Sequence, residues 1–509
     1  MKLIAIIDAI NLFANPDNPA IAMRAMVERL GVLPLNCPSV IALGAIALAQ
    51  WIPSLLPTGR PRYIELAEAI RTDIESGILK PGDRLPPQRG VAQALGVDFS
   101  TVSRGYAEAV RRGDIESFVG RGTFVRETNG PAGEETETAQ PDPRRSLEED
   151  PMMNMPPEPE EPQLLRRMAQ GVAHVSANLV PLLRYQSVTG SAADRDLART
   201  WMQENGFDTP LERLAISPGA HASIYAILTL LTEPGQALLC EAVTYPGLRS
   251  IAGQLGVKLI GVKEDEHGII PEALEALITE YWPAGLYLNP TLSNPRTRTI
   301  PKERRFEIAE VLKRFDLPLI EDDAYCFIAA DAPAPISSHL PDLGWHIAGI
   351  SKVFGAGLRL AYTTIPNGVA MGAFAQIQRS MHIMPSPLSL ALMGRWIEDG
   401  TAAALQANLQ QAARERQALA ADILQGCRFE SAPEAFCLWV ELPKGTSRAE
   451  VMGRMANRKI GILPSDAFTV AGEPQEAVRV CLGGPISMAQ LREDLLALQD
   501  ALMRKDWLG

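Results

Sequence analysis

Residues 127–162 form a segment that does not fold by itself and therefore divides the chain. The segment contains eleven acidic residues and two arginines, many prolines and almost no large apolar side chain before Met152. Such a composition buries too little apolar surface to offset the conformational entropy that folding removes. We expect a flexible, self-repelling linker here. The rest of the chain must then fold as separate units on either side of it.

Length, charge and cysteine usage limit the class of protein. A chain of 509 residues is too long for one ordinary domain. A net charge of −12 excludes a uniformly basic surface, so any contact with nucleic acid must be local. The six cysteines show neither disulfide nor metal-ligand spacing, so we predict reduced thiols, no metal site and a cytoplasmic location.

The first 50 residues carry no motif that we can assign. The apolar stretch Val40–Trp51 is only about a dozen residues long, which is too short to span a bilayer. No basic segment followed by a clear cleavage site is present. A signal or membrane segment, an extra helical extension and a start codon placed too early all remain open, and we treat residues 1–50 as an extension of unknown role.

Residues 51–126 have the pattern of a winged helix-turn-helix. Apolar spacing predicts a helix over residues 62–76, and a second helix follows at Gln88–Leu95. Ser100 can cap a third helix that runs to Arg112. Residues 115–125 alternate around a glycine-containing tip, which indicates a hairpin.

The region 163–509 alternates strand-like and helical segments. This alternation predicts an α/β fold with a parallel sheet. From about residue 405 the pattern changes to a smaller α+β subdomain. The strand predictions are Ala237–Cys240, Lys258–Val262, Gly285–Leu288 and Leu317–Ile320, then Cys437–Leu442 and Ala477–Cys481 in the subdomain.

Lys352 has a local sequence that suits a cofactor carrying both an aldehyde and a phosphate. Ser351 precedes the lysine, and Arg359 follows seven residues later. A lysine amine forms an imine with an aldehyde. An arginine binds phosphate strongly.

Three more motifs fit such a cofactor, although each has an ordinary explanation when taken alone. Residues 217–223 follow a strand and open a helix, whose N-terminal N–H groups bind phosphate. Tyr245 follows a strand and could stack on a flat ring or simply pack in the core. Asp322 ends a strand, where it could hold a pyridine nitrogen protonated or begin an acidic helix.

Together, the order of these motifs resembles the fold-type I aminotransferases that use pyridoxal 5′-phosphate. The resemblance implies that Lys352 forms the imine, that Asp322 pairs with the pyridine nitrogen and that Tyr245 stacks on the ring. It further implies that Tyr325 and Asn294 hydrogen-bond the ring oxygen. The residues that it implies for the phosphate are Gly219, Ala220, His221, Ser351 and Arg359.

The same resemblance implies two further roles and shows two departures. Tyr185 matches a tyrosine that family dimers lend to the neighbouring subunit's phosphate, and Arg479 matches the arginine that binds the substrate carboxylate. Asn294 begins Asn-Pro-Arg-Thr rather than Asn-Pro-Thr-Gly, and Asn289 competes with it in the alignment. We prefer Asn294, because Pro290 then matches a proline that the family places four residues upstream. His221 replaces a more usual glutamine.

Residues 60–126 resemble the winged helix of GntR-type regulators. The matching segments are the turn and helix from Gly77 to Arg89, the recognition helix Phe99–Arg104 and the wing Val119–Thr123. Phe99 departs from the arginine that is often found at its position. By resemblance, the residues that face DNA are Arg84, Arg89, Ser100, Thr101 and Arg104, with Gly120 and Arg121 reaching the minor groove.

A GntR-type winged helix, an acidic linker and an aminotransferase-like domain in this order resemble the MocR-type subfamily. The resemblance covers residues 51–509 and implies a homodimer that binds operator DNA. We therefore predict a regulator that senses an amino compound through pyridoxal phosphate. The alternative is a working aminotransferase that carries a DNA-binding domain. A binding module without cofactor chemistry is disfavoured by the intact Lys352.

Overall fold

The computed structural model describes residues 51–53, 61–80, 82–112, 114–118, 122–125 and 153–503. Backbone contacts divide the chain into two units, with the division after Glu137. The predicted extension 1–50 and most of the predicted linker lie outside the described residues. Gly120 and Arg121 of the predicted wing also lie outside them.

The first unit is a winged helix, as the sequence predicts. Its three strands form an antiparallel sheet in the order β1-β3-β2. Helices α1 and α3 pack together around Leu66, Ile70, Val102 and Tyr106, which are all buried. The elements are α1 (Arg62–Glu75), β1 (Arg84–Leu85), α2 (Gln88–Leu95), α3 (Phe99–Arg111), β2 (Ile115–Phe118) and β3 (Gly122–Val125).

The start of α3 corrects one prediction. Asp98, not Ser100, is the N-cap, and its side chain accepts a hydrogen bond from the Ser100 N–H at 2.8 Å. An aspartate in extended backbone directly before a helix satisfies an N–H group that lacks a helical partner. Ser100 therefore lies inside the first turn.

The second unit is built on a mixed sheet of seven described strands. Six of them are parallel to one another. β12 is antiparallel to both of its neighbours, where Ala361 pairs with Ser217 on one side and with Gly349 on the other. The predicted parallel-sheet organisation is confirmed for six strands, and β12 is the antiparallel addition. The sheet order is β4-β12-β11-β10-β9-β5-β6, formed by β4 (Leu214–Ser217), β5 (Ala237–Glu241), β6 (Lys258–Val262), β9 (Leu286–Leu288), β10 (Leu319–Asp322), β11 (Gly344–Gly349) and β12 (Ala361–Thr364); the short pair β7 (Glu264–Asp265) and β8 (Gly268–Ile269) lies outside it.

Helices cover both faces of this sheet. Successive residues of one strand enter different cores, as Leu238 and Leu239 of β5 do. Both faces must therefore be apolar, which explains the nearly continuous hydrophobic strands. The described helices are α4 (Pro162–Ala177), α5 (Leu179–Leu182), α6 (Ala192–Glu204), α7 (Ala220–Leu231), α8 (Pro246–Leu255), α9 (Pro271–Tyr281), α10 (Lys302–Arg314), α11 (Ser351–Phe354), α12 (Gly368–His382), α13 (Pro387–Glu398) and α14 (Thr401–Ile423).

A smaller α+β subdomain follows, as predicted. Its four described strands are antiparallel in the order β13-β14-β16-β15 and pack with α14, α15 and α16 around one apolar core. The subdomain contains β13 (Arg428–Glu430), β14 (Cys437–Glu441), α15 (Arg448–Met455), β15 (Ile462–Pro464), β16 (Ala477–Cys481) and α16 (Met488–Met503).

Residues 153–157, called the strap below, correct the predicted extent of the linker. Asn154 and Pro157 are buried, and the carbonyl of Pro156 accepts a hydrogen bond from the Gly484 N–H at 2.9 Å. Helix α4 then begins at Pro162. The strap is rich in proline, like the acidic segment before it, so the two have a similar composition. The sequence alone therefore does not distinguish them. The strap nevertheless packs within the second unit through these contacts.

Among the described residues, no helix is both long and apolar enough to cross a membrane.

Candidate functional site

A cavity of about 550 Å³ opens in the second unit where several strands of the large sheet end. Its size suits a small-molecule ligand. Ten of the residues predicted for cofactor or substrate line it, namely Ala220, His221, Tyr245, Asn294, Asp322, Tyr325, Ser351, Lys352, Arg359 and Arg479. The structure thus brings together residues that are up to about 260 positions apart in sequence.

Lys352 lies in the short helix α11, directly after strand β11. Its Nζ donates a hydrogen bond of 2.5 Å to the backbone carbonyl of Asn154. Burial lowers the pKa of Lys352 to about 8, and the charge of Arg479 adds to the effect. A larger fraction of the amine is therefore neutral near pH 7 than for an ordinary lysine, and the neutral amine is the nucleophilic form.

Asp322 is the last residue of β10 and is buried. Its Oδ2 accepts a hydrogen bond of 2.6 Å from the hydroxyl of Tyr287. Its Oδ1 is buried and has no hydrogen-bond partner among the described residues. Burial raises the pKa of Asp322 to about 6, so the group is still mostly ionised near pH 7. A buried carboxylate with one open oxygen fits a cationic N–H donor.

Asn294 and Arg479 meet at another wall of the cavity. The Asn294 Oδ1 accepts a hydrogen bond of 3.1 Å from Arg479 Nη1. The Arg479 guanidinium also lies 5.2 Å from the ring centre of Phe468. Asn289 lies behind them, since its Oδ1 accepts from the Asn294 N–H at 2.7 Å and its Nδ2 donates to the carbonyl of Asp322. Both candidate asparagines therefore line the cavity, and the side chain of Asn294 is the one bonded to Arg479.

Arg359 lies at the end of the cavity that suits an anion, with Gly219 beside it. Gly219 has a φ of 98° and immediately precedes α7. A Cβ at this position would lie 3.0 Å from Arg359 Nη2, so only glycine allows this close approach without a shift. His221 lies in the first turn of α7, and its pKa is lowered by desolvation and by the charge of Arg359. A helix N-terminus beside a guanidinium is a favourable site for phosphate.

Tyr245 and Tyr325 place two aromatic rings at the cavity. Tyr245 directly precedes α8, and a Cβ at Gly247 would lie 2.3 Å from its ring, so this glycine makes room for the side chain. Tyr325 is buried, and its hydroxyl accepts a hydrogen bond of 2.9 Å from Asn154 Nδ2. Burial raises the pKa of Tyr325, so its hydroxyl stays protonated.

Gly219 does not itself line the cavity but lies beside Arg359, which does; the other predicted cofactor residue outside the lining is Tyr185. Its side chain is 82% exposed. The predicted role concerns the cavity of a neighbouring subunit, and it stays a prediction.

The predicted DNA-contacting residues lie on the first unit. Arg84 belongs to β1 and Arg89 to the first turn of α2. Both arginines are exposed. Ser100 is exposed and Thr101 partly exposed at the start of α3. On the same helix, the exposed Arg104 has its guanidinium 4.2 Å from the ring centre of Tyr63.

Sequence reasoning missed two residues that contact the site, Tyr287 and Asn154, and it ranked Asn289 behind Asn294. Tyr287 bonds Asp322, Asn289 supports Asn294, and Asn154 contacts both Lys352 and Tyr325. Tyr287 carried a weak signal, because it is a polar-tipped residue within a buried apolar strand. Asn154 carried none, since it lies in the segment interpreted as linker.

Comparison with protein families agrees with both units. The model of aminotransferase class I and II matches residues 162–495. The model of bacterial regulatory proteins of the gntR family matches residues 62–125. The first match covers more than half of the chain.

Individual relatives share the whole arrangement. The uncharacterised HTH-type transcriptional regulator YdeF of Bacillus subtilis is 28% identical over 457 residues, which cover 89% of this chain and 97% of YdeF. The uncharacterised HTH-type transcriptional regulator YjiR of Escherichia coli is 26% identical, over 87% of this chain and 99% of YjiR.

A solved structure shares the fold of the second unit. The α-aminoadipate aminotransferase LysN of Thermus thermophilus, solved with N-(5′-phosphopyridoxyl)-L-leucine, superposes with a TM-score of 0.62. It is 22% identical and covers 69% of this chain and 90% of its own. This confirms the predicted aminotransferase fold. The chain therefore belongs to the class I and II aminotransferase family and carries a gntR-family winged helix ahead of its aminotransferase domain.

Proposed function

We propose that this protein is a transcription regulator of the MocR type, which binds operator DNA and uses pyridoxal phosphate to sense an amino compound. The observation that carries the proposal is that Lys352 and Asp322 line one cavity. The pKa of Lys352 is lowered, and Asp322 has a buried oxygen without a partner among the described residues. The same chain carries a gntR-family winged helix. Such a protein works in the cytoplasm, where it reaches its operator.

The residues of the cavity fit pyridoxal phosphate. Lys352 offers the amine, and Asp322 Oδ1 offers an anionic acceptor for the protonated pyridine nitrogen. When bound, the cofactor supplies an aldehyde that links to amines and a ring that withdraws electrons. Tyr245 would stack on the ring, and Tyr325 and Asn294 would hydrogen-bond the ring oxygen. The phosphate would be held by Ala220, His221, Ser351 and Arg359, with Gly219 beside Arg359.

Arg479 indicates the class of ligand. A buried guanidinium held by Asn294 and Phe468 presents a fixed cation to the cavity. A planar guanidinium binds a carboxylate through two parallel hydrogen bonds. An amino compound that also carries a carboxylate, such as an amino acid, satisfies Lys352 and Arg479 at once.

The proposed assembly is a homodimer. The exposed ring of Tyr185 supports it, because a large amphipathic side chain that is 82% exposed is available to a second subunit. A dimer would also present two winged helices to two half-sites of an operator.

The runner-up function is a working aminotransferase with a DNA-binding domain. It is favoured by the presence of the complete set Lys352, Asp322 and Arg479. Purified protein, loaded with pyridoxal phosphate, is incubated with amino acids and 2-oxo acids to distinguish the two. Multiple cycles of transamination without any effect on operator binding or transcription support the enzyme. One spectral change without further turnover, accompanied by a change in operator binding or transcription, supports the regulator.

A further inference from the structure

We propose that Asn154 is a positioning residue that directs the hydroxyl proton of Tyr325 into the cavity and thereby tunes the proton affinity of the lysine–cofactor linkage. The inference rests on the pyridoxal phosphate part of the proposed function. It is independent of DNA binding.

The strap carries Asn154 to the centre of the site. The side chain is buried, and Nδ2 lies 2.9 Å from the Tyr325 hydroxyl and 3.6 Å from Cys437 Sγ. The carbonyl of the same residue accepts the hydrogen bond from Lys352 Nζ. One residue of the strap therefore contacts two groups that reach the cofactor.

Neighbouring contacts hold this part of the strap in place. Pro156 accepts the hydrogen bond from the Gly484 N–H, and the Met153 carbonyl accepts from Cys481 Sγ at 3.8 Å. Cys481 lies directly opposite Cys437 in the pairing of β14 with β16. Contacts at the ends of β14 and β16 thus hold the strap segment that carries Asn154.

The structure turns the carboxamide nitrogen toward Tyr325 and Cys437. A side-chain amide has two N–H donors on nitrogen and only acceptors on oxygen. With nitrogen facing Tyr325 and Cys437, both donors have an acceptor, while Oδ1 has no partner among the described residues. In this orientation the amide nitrogen donates to the Tyr325 oxygen.

That assignment decides where the phenolic proton goes. A tyrosine hydroxyl has one proton and can also accept. When its oxygen accepts from Asn154, the single proton is free to be donated to another acceptor. Tyr325 lines the cavity, so this proton would be available to the ring oxygen of a bound cofactor. A hydrogen bond donated to that oxygen stabilises its anion, which lowers the proton affinity of the adjacent linkage nitrogen.

Substitution of Asn154 by Asp reverses the polarity at almost constant volume. A carboxylate accepts the phenolic proton and withdraws it from the cofactor. We expect the pH midpoint of the visible absorbance of the holoprotein to rise by about one unit, which is a tenfold increase in proton affinity. Asn154→Ala should raise the pH midpoint less, because the Tyr325 hydroxyl then rotates freely and no carboxylate withdraws its proton.

The experiment compares pH titrations of the visible spectrum in holoprotein variants. Met153→Asp is the matched control for added charge, since Met153 also lines the cavity and is half exposed, and its thioether cannot donate a hydrogen bond to Tyr325. Tyr325→Phe is combined with each Asn154 variant in a double-mutant cycle. The shift caused by Asn154→Ala should vanish in the Tyr325→Phe background.

Each outcome decides one question. If Asn154→Asp titrates like the unchanged protein, or no further than Met153→Asp, the positioning role is wrong. Equal Asn154→Ala shifts with and without the Tyr325 hydroxyl would also overturn it. A protein that binds no pyridoxal phosphate at all would instead refute the proposed function. If the protein binds pyridoxal phosphate but the Asn154 substitutions do not change the pH titration of its spectrum, only the present inference is refuted.

Discussion

Tyr287 donates a hydrogen bond of 2.6 Å to Asp322 Oδ2, and this bond holds the buried carboxylate with its other oxygen open. Replacement of Tyr287 by Phe should keep the packing and remove the bond. Because the bond lowers the pKa of Asp322, its loss should raise that pKa further and weaken the pairing with a cationic ring nitrogen. We expect the Kd for pyridoxal phosphate to rise roughly tenfold, since a hydrogen bond to a charged group contributes about 1.5–3 kcal/mol.

Tyr362→Phe is the matched control for this loss. Tyr362 is equally buried in strand β12 but does not line the cavity. Fluorescence or absorbance titration with pyridoxal phosphate measures both variants. Equal affinities for Tyr287→Phe and the unchanged protein would mean that the bond does not orient Asp322.

Capture of the cofactor should depend on pH through Lys352. Only the neutral amine attacks an aldehyde, and the pKa of Lys352 is lowered to about 8. The sign follows directly: capture slows as the pH falls below 8, roughly tenfold per unit, and levels off above it. Stopped-flow absorbance after addition of pyridoxal phosphate measures the rate. A profile that rises only near the ordinary lysine pKa of 10.5 would contradict the lowered value.

Lys352 should be the residue whose imine with the cofactor is reduced by borohydride to a stable bond. Reduction of the holoprotein should add the cofactor mass to the peptide that contains Lys352. The Lys352→Ala variant should lose both the visible absorbance of the linked cofactor and the adduct. Lys302, which begins helix α10 and does not line the cavity, provides the control variant Lys302→Ala. A borohydride-stable adduct on another lysine of the Lys352→Ala protein would be inconsistent with the assignment.

The residues that the sequence identified share one property. Lys352 and Arg359 lie within one short segment, and Asp322 and Tyr325 lie within another, so local spacing preserves their geometry. Their order along the chain then identifies the fold, which the comparisons confirm. Lysine, aspartate and arginine are also costly to bury without a role, so they are conspicuous in apolar surroundings.

The residues that were missed depend on contacts between distant segments. Tyr287 reaches Asp322 only because β9 and β10 are neighbours in the sheet. Asn154 reaches Lys352 over 198 positions, from a segment whose prolines and acids resemble those of a linker. The antiparallel strand β12 was also beyond local reasoning, because the direction of a short buried strand is decided by its connections and not by its residues.

Tyr185 should act in the cavity of a second subunit. Tyr185→Phe removes only the hydroxyl and should weaken binding of pyridoxal phosphate severalfold if that hydroxyl meets the phosphate. The exposed Tyr281, which does not line the cavity, gives the control Tyr281→Phe. Hybrids assembled from Tyr185→Ala and Lys352→Ala chains should regain one intact site per dimer. Hybrids with no more cofactor than the parent variants would exclude a shared site.

The winged helix should bind DNA through charges that act independently of the cofactor. Arg89 is exposed in the first turn of α2, so Arg89→Ala should weaken operator binding roughly tenfold and reduce the slope of affinity against salt by about one. Arg199→Ala removes an equal charge from the second unit, where Arg199 pairs with Asp196 at 2.6 Å, and should leave DNA affinity nearly unchanged. The visible spectrum of both variants should match that of the unchanged protein. If Arg89→Ala and Arg199→Ala reduce affinity equally, net charge and not the winged helix governs binding.

The last prediction joins the two functions. An amino compound that displaces Lys352 from the cofactor changes the contacts around the cavity, and it can shift the protein only by binding two conformations with different affinity. Operator affinity or transcription should therefore respond to some member of an amino-compound panel, and Lys352→Ala should abolish the response while it keeps basal DNA binding. Titrations of operator DNA with and without pyridoxal phosphate measure the first effect, and transcription in vitro measures the second. Steady transamination with no change in either measurement, across the whole panel, would assign the protein to catalysis instead of sensing.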